Sequence, residues 1–373
     1  MYTLLRYQDN LHKEKICSKK TLREFFGKKK HFAESANGRS LLNCLLKKLK
    51  IKKNDIILTP IYAPEGILDP IKYNKIKILH YKLDKQLYPN VKDIKKIVKK
   101  YKNEIKLFVV IHNMGFISPI DPIKKVLNKF NIPILEDCAQ ANFCKNNAGK
   151  HLDTTGNYLL YSLNKFIPVT DGAFLYGKYK IIKEINKEKK IKLDNSIKYY
   201  SKHLFYNKNI SKIKYSNKFY ETIKKSEKEY DKYYSKIKNN FELKEISKKT
   251  KVYLNSYNFN NLIKKRIYNT SYIYKKLNNK NLKLFYRRHN KKIVPMAIPL
   301  ITNKNRNEII KKLLENNIFP AIQSNRWNNL SIKKYKNNFK NEFNYLNKHL
   351  LITVDEKLLK KDLKKIFNIL NSI

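Results

Sequence analysis

The sequence predicts an α/β protein: a large, mostly parallel sheet layered with helices, followed by a smaller α+β domain. Three observations carry that reading. Strand-length apolar runs alternate with amphipathic helical stretches through the first half. All eight glycines lie between Gly27 and Gly177, and glycine supplies the tight turns and close backbone approaches that ligand sites use. Beyond Gly177 the chain turns Lys-, Tyr- and Asn-rich before regular patterning resumes. The expected domains are 1–245, in which 178–245 is a lysine- and tyrosine-rich helical segment, and 246–373.

The elements follow in order. "GRSLLNCLLKKLKI" is a helix with Leu41, Leu42, Leu45, Leu46 and Leu49 on one face. "NDIILTP" is a strand ended by Pro60, "GILDPI" opens a second helix, and "KIKILHYKL" is a second strand. The helix "VKDIKKIVKKYKN" sets Ile94, Ile97 and Val98 on one face. Next come the strand "KLFVVIH", a turn at "NMGFISPID", the helix "PIKKVLNKF" and the strand "IPILED". In open α/β sheets ligands sit at the carboxyl ends of strands, and Asp137 lies at one of those ends. From 178 to about 250 the pattern reads as helices with a solvated lysine face and tyrosines packed on the other. A long helix around "NLIKKRIYNTSYIYKKL", the strand "VPMAIPLI", the helix "RNEIIKKLLENN" and a closing "DEKLLKKDLKKIFNIL" build the smaller domain.

The formal charge of +52 raises the question of a nucleic-acid partner. Only eight of the 82 basic residues are arginines, although arginine is the better fork for phosphate and base edges. The lysines spread over the whole length among Asn and Ile, and no helix-turn-helix, zinc-finger or RNA-recognition pattern is present. Compositional drift of an A/T-rich genome accounts for the charge better than specific nucleic-acid binding does. The four cysteines show no CxxC spacing and the histidines no ligand spacing, so no metal site is expected. "MYTLLRYQDN" lacks the apolar core of a signal peptide and no apolar run reaches membrane-spanning length, so a cytoplasmic protein without membrane attachment is expected.

Three stretches carry chemistry. "ANGRSLL" places Gly38, Arg39 and Ser40 ahead of a helix, where free N–H groups and the helix dipole favour an anion. The same pattern also serves ordinary capping. "ILEDCAQA" sets Asp137 at a strand end with Gln140 three residues on; the carboxylate either caps the next turn or pairs with a buried cation such as a protonated ring nitrogen. "YSLNKF" offers the Ser162 hydroxyl and the Lys165 amine. A lysine in apolar surroundings loses preference for its ammonium form and becomes nucleophilic toward aldehydes. A phosphate seat, a carboxylate for a pyridine nitrogen and a lysine for an aldehyde are together what pyridoxal phosphate requires.

In that order the motifs resemble the DegT/DnrJ/EryC1/StrS family of sugar aminotransferases. "GRSLL" is similar to the family's phosphate loop and "DIILTPIYAP" to its strand ending in Pro-x-Tyr. "FVVIHNMGFISPID" is similar to its strand-turn with His and Gly, and "ILEDCAQA" to its Glu-Asp-x-Ala-Gln/His-Ala. "GKHLDTTGNYLLYSLNKFIPVTDGAFLYG" follows its aromatic-Ser, Lys and closing Asp-Gly. The resemblance implies a pyridoxal-phosphate enzyme of the type I, aspartate-aminotransferase-like fold. It implies Lys165 as the Schiff-base and proton-transferring residue, Asp137 on the pyridine nitrogen and Gln140 beside the ring. Ser162 and the Gly38–Ser40 loop would hold the phosphate. It further implies nucleotide-sugar and amino-acid substrates, glutamate among the donors, and a homodimer. Tyr62, His112 and Arg326 are candidate substrate contacts. Two features depart from the pattern: Lys165 follows Ser162 by three positions where five are usual, and the lysine-rich stretch 178–250 stands where an Asn-Tyr-Arg segment normally crosses to the partner's phosphate. A sugar dehydratase of the same family, a non-catalytic member and a polyanion-binding protein are the alternatives; dehydratases of the family replace the lysine with histidine.

Overall fold

The computed structural model describes residues 31–144, 156–167, 169–210, 213–257, 259–322 and 335–373. Its first half builds a seven-stranded sheet from β1 (Phe32–Ser35), β2 (Ile56–Pro60), β3 (Lys77–Tyr81), β4 (Ile105–Ile111), β5 (Ile134–Asp137), β6 (Tyr158–Ser162) and β7 (Ala173–Tyr176). The spatial order is β1-β7-β6-β5-β4-β2-β3, with β7 alone running against its neighbours. The connecting helices are α1 (Gly38–Lys48), α2 (Glu65–Tyr73), α3 (Val91–Tyr101) and α4 (Asp121–Asn128). Each coincides with a helix or strand read from the pattern. The strands β1, β6 and β7 are additional, the last two within the motif-bearing stretch.

Both faces of the sheet are covered, which is why its strands read as near-continuous apolar runs. Alternation within β4 shows the division. Leu107 and Val109 pack with Leu41, Leu42, Leu45 and Leu46 of α1. Phe108 and Val110 pack with Ile94 and Val98 of α3 and Ile123 and Leu127 of α4. Each side chain of this size contributes about 1.5–3 kcal/mol when fully buried.

After α5 (Tyr179–Asn186), the lysine- and tyrosine-rich segment forms a two-helix hairpin, α6 (Ser196–Ile210) and α7 (Asn217–Ile237). A buried polar lock joins the two. The Ser226 hydroxyl lies 2.9 Å from His203 Nδ1 and donates to Asn207 Oδ1 (2.6 Å), while Asn207 Nδ2 lies 3.0 Å from His203 Nε2. The hairpin leaves and rejoins the fold at one place. Ile191 bridges in parallel to Lys244, the Ile191 N–H donates to Leu243 O (2.9 Å), and the Glu245 N–H donates to Ile191 O (2.9 Å). Lys244 Nζ is paired with Asp194, and the Lys244 backbone is bonded to Ser35 at the end of β1 (3.0 Å both ways).

The remainder comprises α8 (Lys248–Ser256), α9 (Phe259–Lys276), β8 (Leu282–Leu284), β9 (Ala297–Thr302), α10 (Arg306–Glu315), α11 (Lys340–Lys348), β10 (His349–Thr353) and α12 (Lys360–Asn371). The three strands form an antiparallel sheet, β10-β9-β8. Ile298, Leu300, Leu350 and Ile352 pack with Ile273 of α9, Leu313 of α10, and Ile366 and Leu370 of α12. Among the described residues no helix is long and apolar enough to cross a membrane.

One buried acid connects α11 with the loop after β3. Glu342 is 1% exposed and accepts the Leu83 N–H at 2.6 Å. Burial pushes its carboxyl up from 4.5 to about 7. Below about 4.5 the group is neutral folded and unfolded. As pH rises toward 7 only the folded protein keeps the proton, so stability falls across that window, by on the order of 3 kcal/mol. Glu342→Gln keeps an acceptor and removes the ionisation. Thermal melts at pH 5 and pH 8 are expected to show the variant gaining on the wild type as pH rises.

Candidate active site

Parallel pairing carries four strand ends to one edge of the sheet. In register, Ile111 at the end of β4 lies beside Asp137 at the end of β5, and Asp137 beside Leu160 of β6. All three line a single pocket. The residues that follow β2, β4 and β6 line it too: Tyr62 and Pro64, Asn113, and Asn164 with Lys165. Gly38 and Arg39, at the start of α1, complete this side.

Lys165 closes a single 3-10 turn, Leu163–Lys165, directly after β6. A 3-10 turn advances more per residue than an α-turn, which accommodates the short Ser162-to-Lys165 spacing. The lysine is half-buried, between buried Leu163 and Phe166. Asp137 is 6% exposed, and its Oδ1 accepts the Ala139 N–H at 3.0 Å. Burial raises its carboxyl above the ordinary range, against the opposing pull of that N–H, His112 and Lys165. Gln140 also lines the pocket, fixed by the Met114 N–H donating to its Oε1 at 2.8 Å. The Ser162 hydroxyl donates to Asn164 Oδ1 (2.9 Å), and Asn164 Nδ2 donates to the Tyr200 hydroxyl (3.4 Å).

At α1 the Asn37 side chain caps the helix by accepting the Ser40 N–H at 2.9 Å. The Gly38 and Arg39 N–H groups, in the first turn, have no intrahelical acceptor to reach. Arg39 Nη1 lies 3.1 Å from Asp69 Oδ2, yet this buried atom makes no hydrogen bond of good geometry. Ser40 is not part of the wall. It is fully buried, and its Oγ has no hydrogen-bond partner.

The turn after Lys165 is held from α8. Asp171, 3% exposed, accepts the Ser247 N–H, the Ser247 hydroxyl and the Thr250 hydroxyl, each at 2.7 Å. Gly172 follows with φ +108°, and a Cβ there would stand 2.8 Å from Leu163 Cδ1. Only glycine takes this conformation and this spacing without strain. The closing Asp-Gly of the motif is therefore a clamp on the lysine turn.

Besides Ser40, two expectations change, and a third falls on a residue that is not described. His112 does not contact the pocket: it is fully buried, and its Nδ1 accepts the Ser118 N–H at 3.1 Å. Nε2 then carries the proton and donates to Glu136 Oε2 at 2.8 Å, a bond joining β4 to β5. A substrate contact is replaced by a structural pair. With Cys138 these two groups bring donor atoms within 4.8 Å of one another in the interior, a grouping that linear spacing concealed. Arg326 lies outside the described residues. Finally, not all tyrosines of the hairpin are packing residues, because Tyr200 of α6 and Tyr230 and Tyr233 of α7 line the pocket. Their i, i+3 spacing in α7 was visible, but core packing produces the same spacing. Asn113, Asn164 and Gly66 were missed as well, since single residues after strand ends give no periodic signal.

A lysine amine, a buried carboxylate and the amides of a helix N-terminus meet at one sheet edge, the three kinds of group that a phosphorylated pyridine aldehyde requires. The sheet around them, with its single reversed strand, is that of the pyridoxal-phosphate-dependent transferases of the type I fold. The chain belongs to the DegT/DnrJ/EryC1/StrS aminotransferase family, whose model matches residues 18–371. Aminotransferases of this family use pyridoxal phosphate. Among curated proteins no sequence matches significantly. Solved structures with the same fold include the sugar aminotransferase CalS13 from Micromonospora echinospora, at 15% identity, TM-score 0.69, and coverage of 94% of this chain and 90% of that one. The aminotransferase TlmJ from Streptoalloteichus hindustanus is similar at 13% identity and TM-score 0.67, covering 92% of this chain and 85% of that one. DesV from S. venezuelae is similar at 12% identity and TM-score 0.67, with the same coverages of 92% and 85%.

Asp171→Ala strips four donors of this acceptor at once, the Ser247 N–H and the hydroxyls of Thr170, Ser247 and Thr250. A loss of about 3 kcal/mol is expected by denaturant unfolding, with Asp171→Asn losing less because one carbonyl acceptor survives.

Proposed function

We propose that this chain transfers an amino group from an amino-acid donor, glutamate being the expected one, to a keto-sugar carried on a nucleotide. It would act in the cytoplasm as a homodimer. The observation that carries the reading is that Lys165, Asp137 and the N-terminus of α1 line one pocket. Support for the sugar comes from CalS13, a sugar aminotransferase of the same fold.

When bound, pyridoxal phosphate supplies the electron sink for moving an amino group. Asp137 would hold its negative charge against the ring nitrogen, where burial strengthens the pairing. Lys165 would engage the aldehyde and, once displaced by substrate, carry the proton at the reacting carbon. Gln140, held by the Met114 N–H, would keep its amide against the ring. The Gly38 and Arg39 amides and the Ser162 hydroxyl would hold the phosphate. Tyr62, Tyr200, Tyr230 and Tyr233 give the pocket an aromatic wall, suited to the C–H face of a sugar ring with phenol groups in reach of its hydroxyls.

Absorption spectra of the purified protein with added pyridoxal phosphate test the reading, before and after borohydride. The wild type is expected to show a visible band that borohydride traps covalently on Lys165, and Lys165→Ala to show none. A wild type without the band would overturn the enzyme reading.

A further inference from the structure

Three side chains from three helices interlock beside the pocket. Arg39 of α1 lies 3.1 Å from the carboxylate of Asp69 in α2. The Tyr234 hydroxyl of α7 donates to that same carboxylate at 2.8 Å. The Arg39 guanidinium stacks over the Tyr234 ring, 4.9 Å from its centroid. One face of the arginine is thus covered by an aromatic ring and one edge set by a carboxylate, while the residue itself lines the pocket.

This arrangement fixes the guanidinium without consuming it. Arginine carries five N–H donors in a planar fork, so a partner along one edge leaves the others for a second anion. Nη1, although buried, makes no hydrogen bond even to Asp69. The adjacent backbone amides of Gly38 and Arg39 open the same helix terminus. The carboxylates of Asp69 and of Glu65, which also lines the pocket, oppose anion binding. Asp69 is already committed between Arg39 and Tyr234.

We propose that Arg39 is the cation of the cofactor's phosphate seat and that Tyr234 and Asp69 are its positioning residues. The hairpin α6–α7 thereby sets cofactor affinity from within the same chain. The proposal rests on the pyridoxal-phosphate reading above and adds to it two residues from outside every motif, Tyr234 and Asp69.

The experiment titrates wild type, Arg39→Ala, Asp69→Asn and Tyr234→Phe with two probes, pyridoxal phosphate and pyridoxal, which lacks the phosphate. Binding is read by absorbance and by borohydride trapping on Lys165, with circular-dichroism melts alongside. Arg39→Ala is expected to weaken pyridoxal phosphate roughly 10- to 100-fold, as loss of a charge-assisted contact does, with pyridoxal unchanged. Tyr234→Phe retains the ring and removes only the hydroxyl, so about a three- to tenfold selective loss is expected, with an unchanged melt. Equal loss for both probes, or no loss for either, would overturn the assignment by making the trio a structural strut. A wild type that binds pyridoxal phosphate no better than pyridoxal would overturn the phosphate seat while leaving the Lys165 reading intact. Failure to bind either probe would overturn both.

Discussion

Arg266 holds the parts of this molecule that its sequence keeps apart. Its guanidinium, 3% exposed, donates from Nε to Glu356 and from Nη2 to Asp355, both at 3.0 Å, and reaches the carbonyl of Met296 at 3.2 Å. Its charged face also lies 5.3 Å from the Phe166 ring. A helix, the turn after β10 and the approach to β9 are thereby fixed against the residue next to Lys165. Burying such a group contributes little net stability, because desolvation offsets most of the attraction. Removing one partner is a different matter, since it strands the others uncompensated in the interior. What the arrangement secures is geometry: the turn that carries Lys165 takes its position from the far end of the chain.

The same logic runs through the pocket. Lys165 is steadied by Phe166 under Arg266 and by Asp171 bound to α8. Asp137 sits at a strand end whose neighbours in register line the same cavity. The parallel sheet gathers strand ends from residues 60, 111, 137 and 162 at one edge, and the helices and turns beyond them fix the angles.

Much of this was legible in the sequence. Strand-length apolar runs gave β2 to β5 and the helical period of 3.6 gave the helices beside them, because the strands bury both faces and the helices one. The motif residues Gly38, Arg39, Asp137, Gln140, Ser162 and Lys165 meet in one pocket as their order implied. Ser40 and His112 proved to be interior residues, and motif spacing alone does not reveal which way a side chain turns. The tyrosines of the hairpin were harder still. Tyr230 and Tyr233 face the cavity while Phe219 of the same helix is buried in a core cluster. Only tertiary packing decides which of such aromatics meets a ligand. Tyr234 stood beside them with no sequence signal at all, since its partners Asp69 and Arg39 lie more than 160 positions away.

The hairpin departs and returns through a clasp in which Ile191 and Lys244 lie side by side. Everything between them is an excursion with both feet on one spot. Its length can change without asking any strand of the sheet to move. The pocket therefore has two walls with different histories open to them. One is bound to the sheet edge and conservative by construction. The other hangs from a single clasp, so its outer parts can be recut while Tyr234 and its partners Asp69 and Arg39 stay where they are.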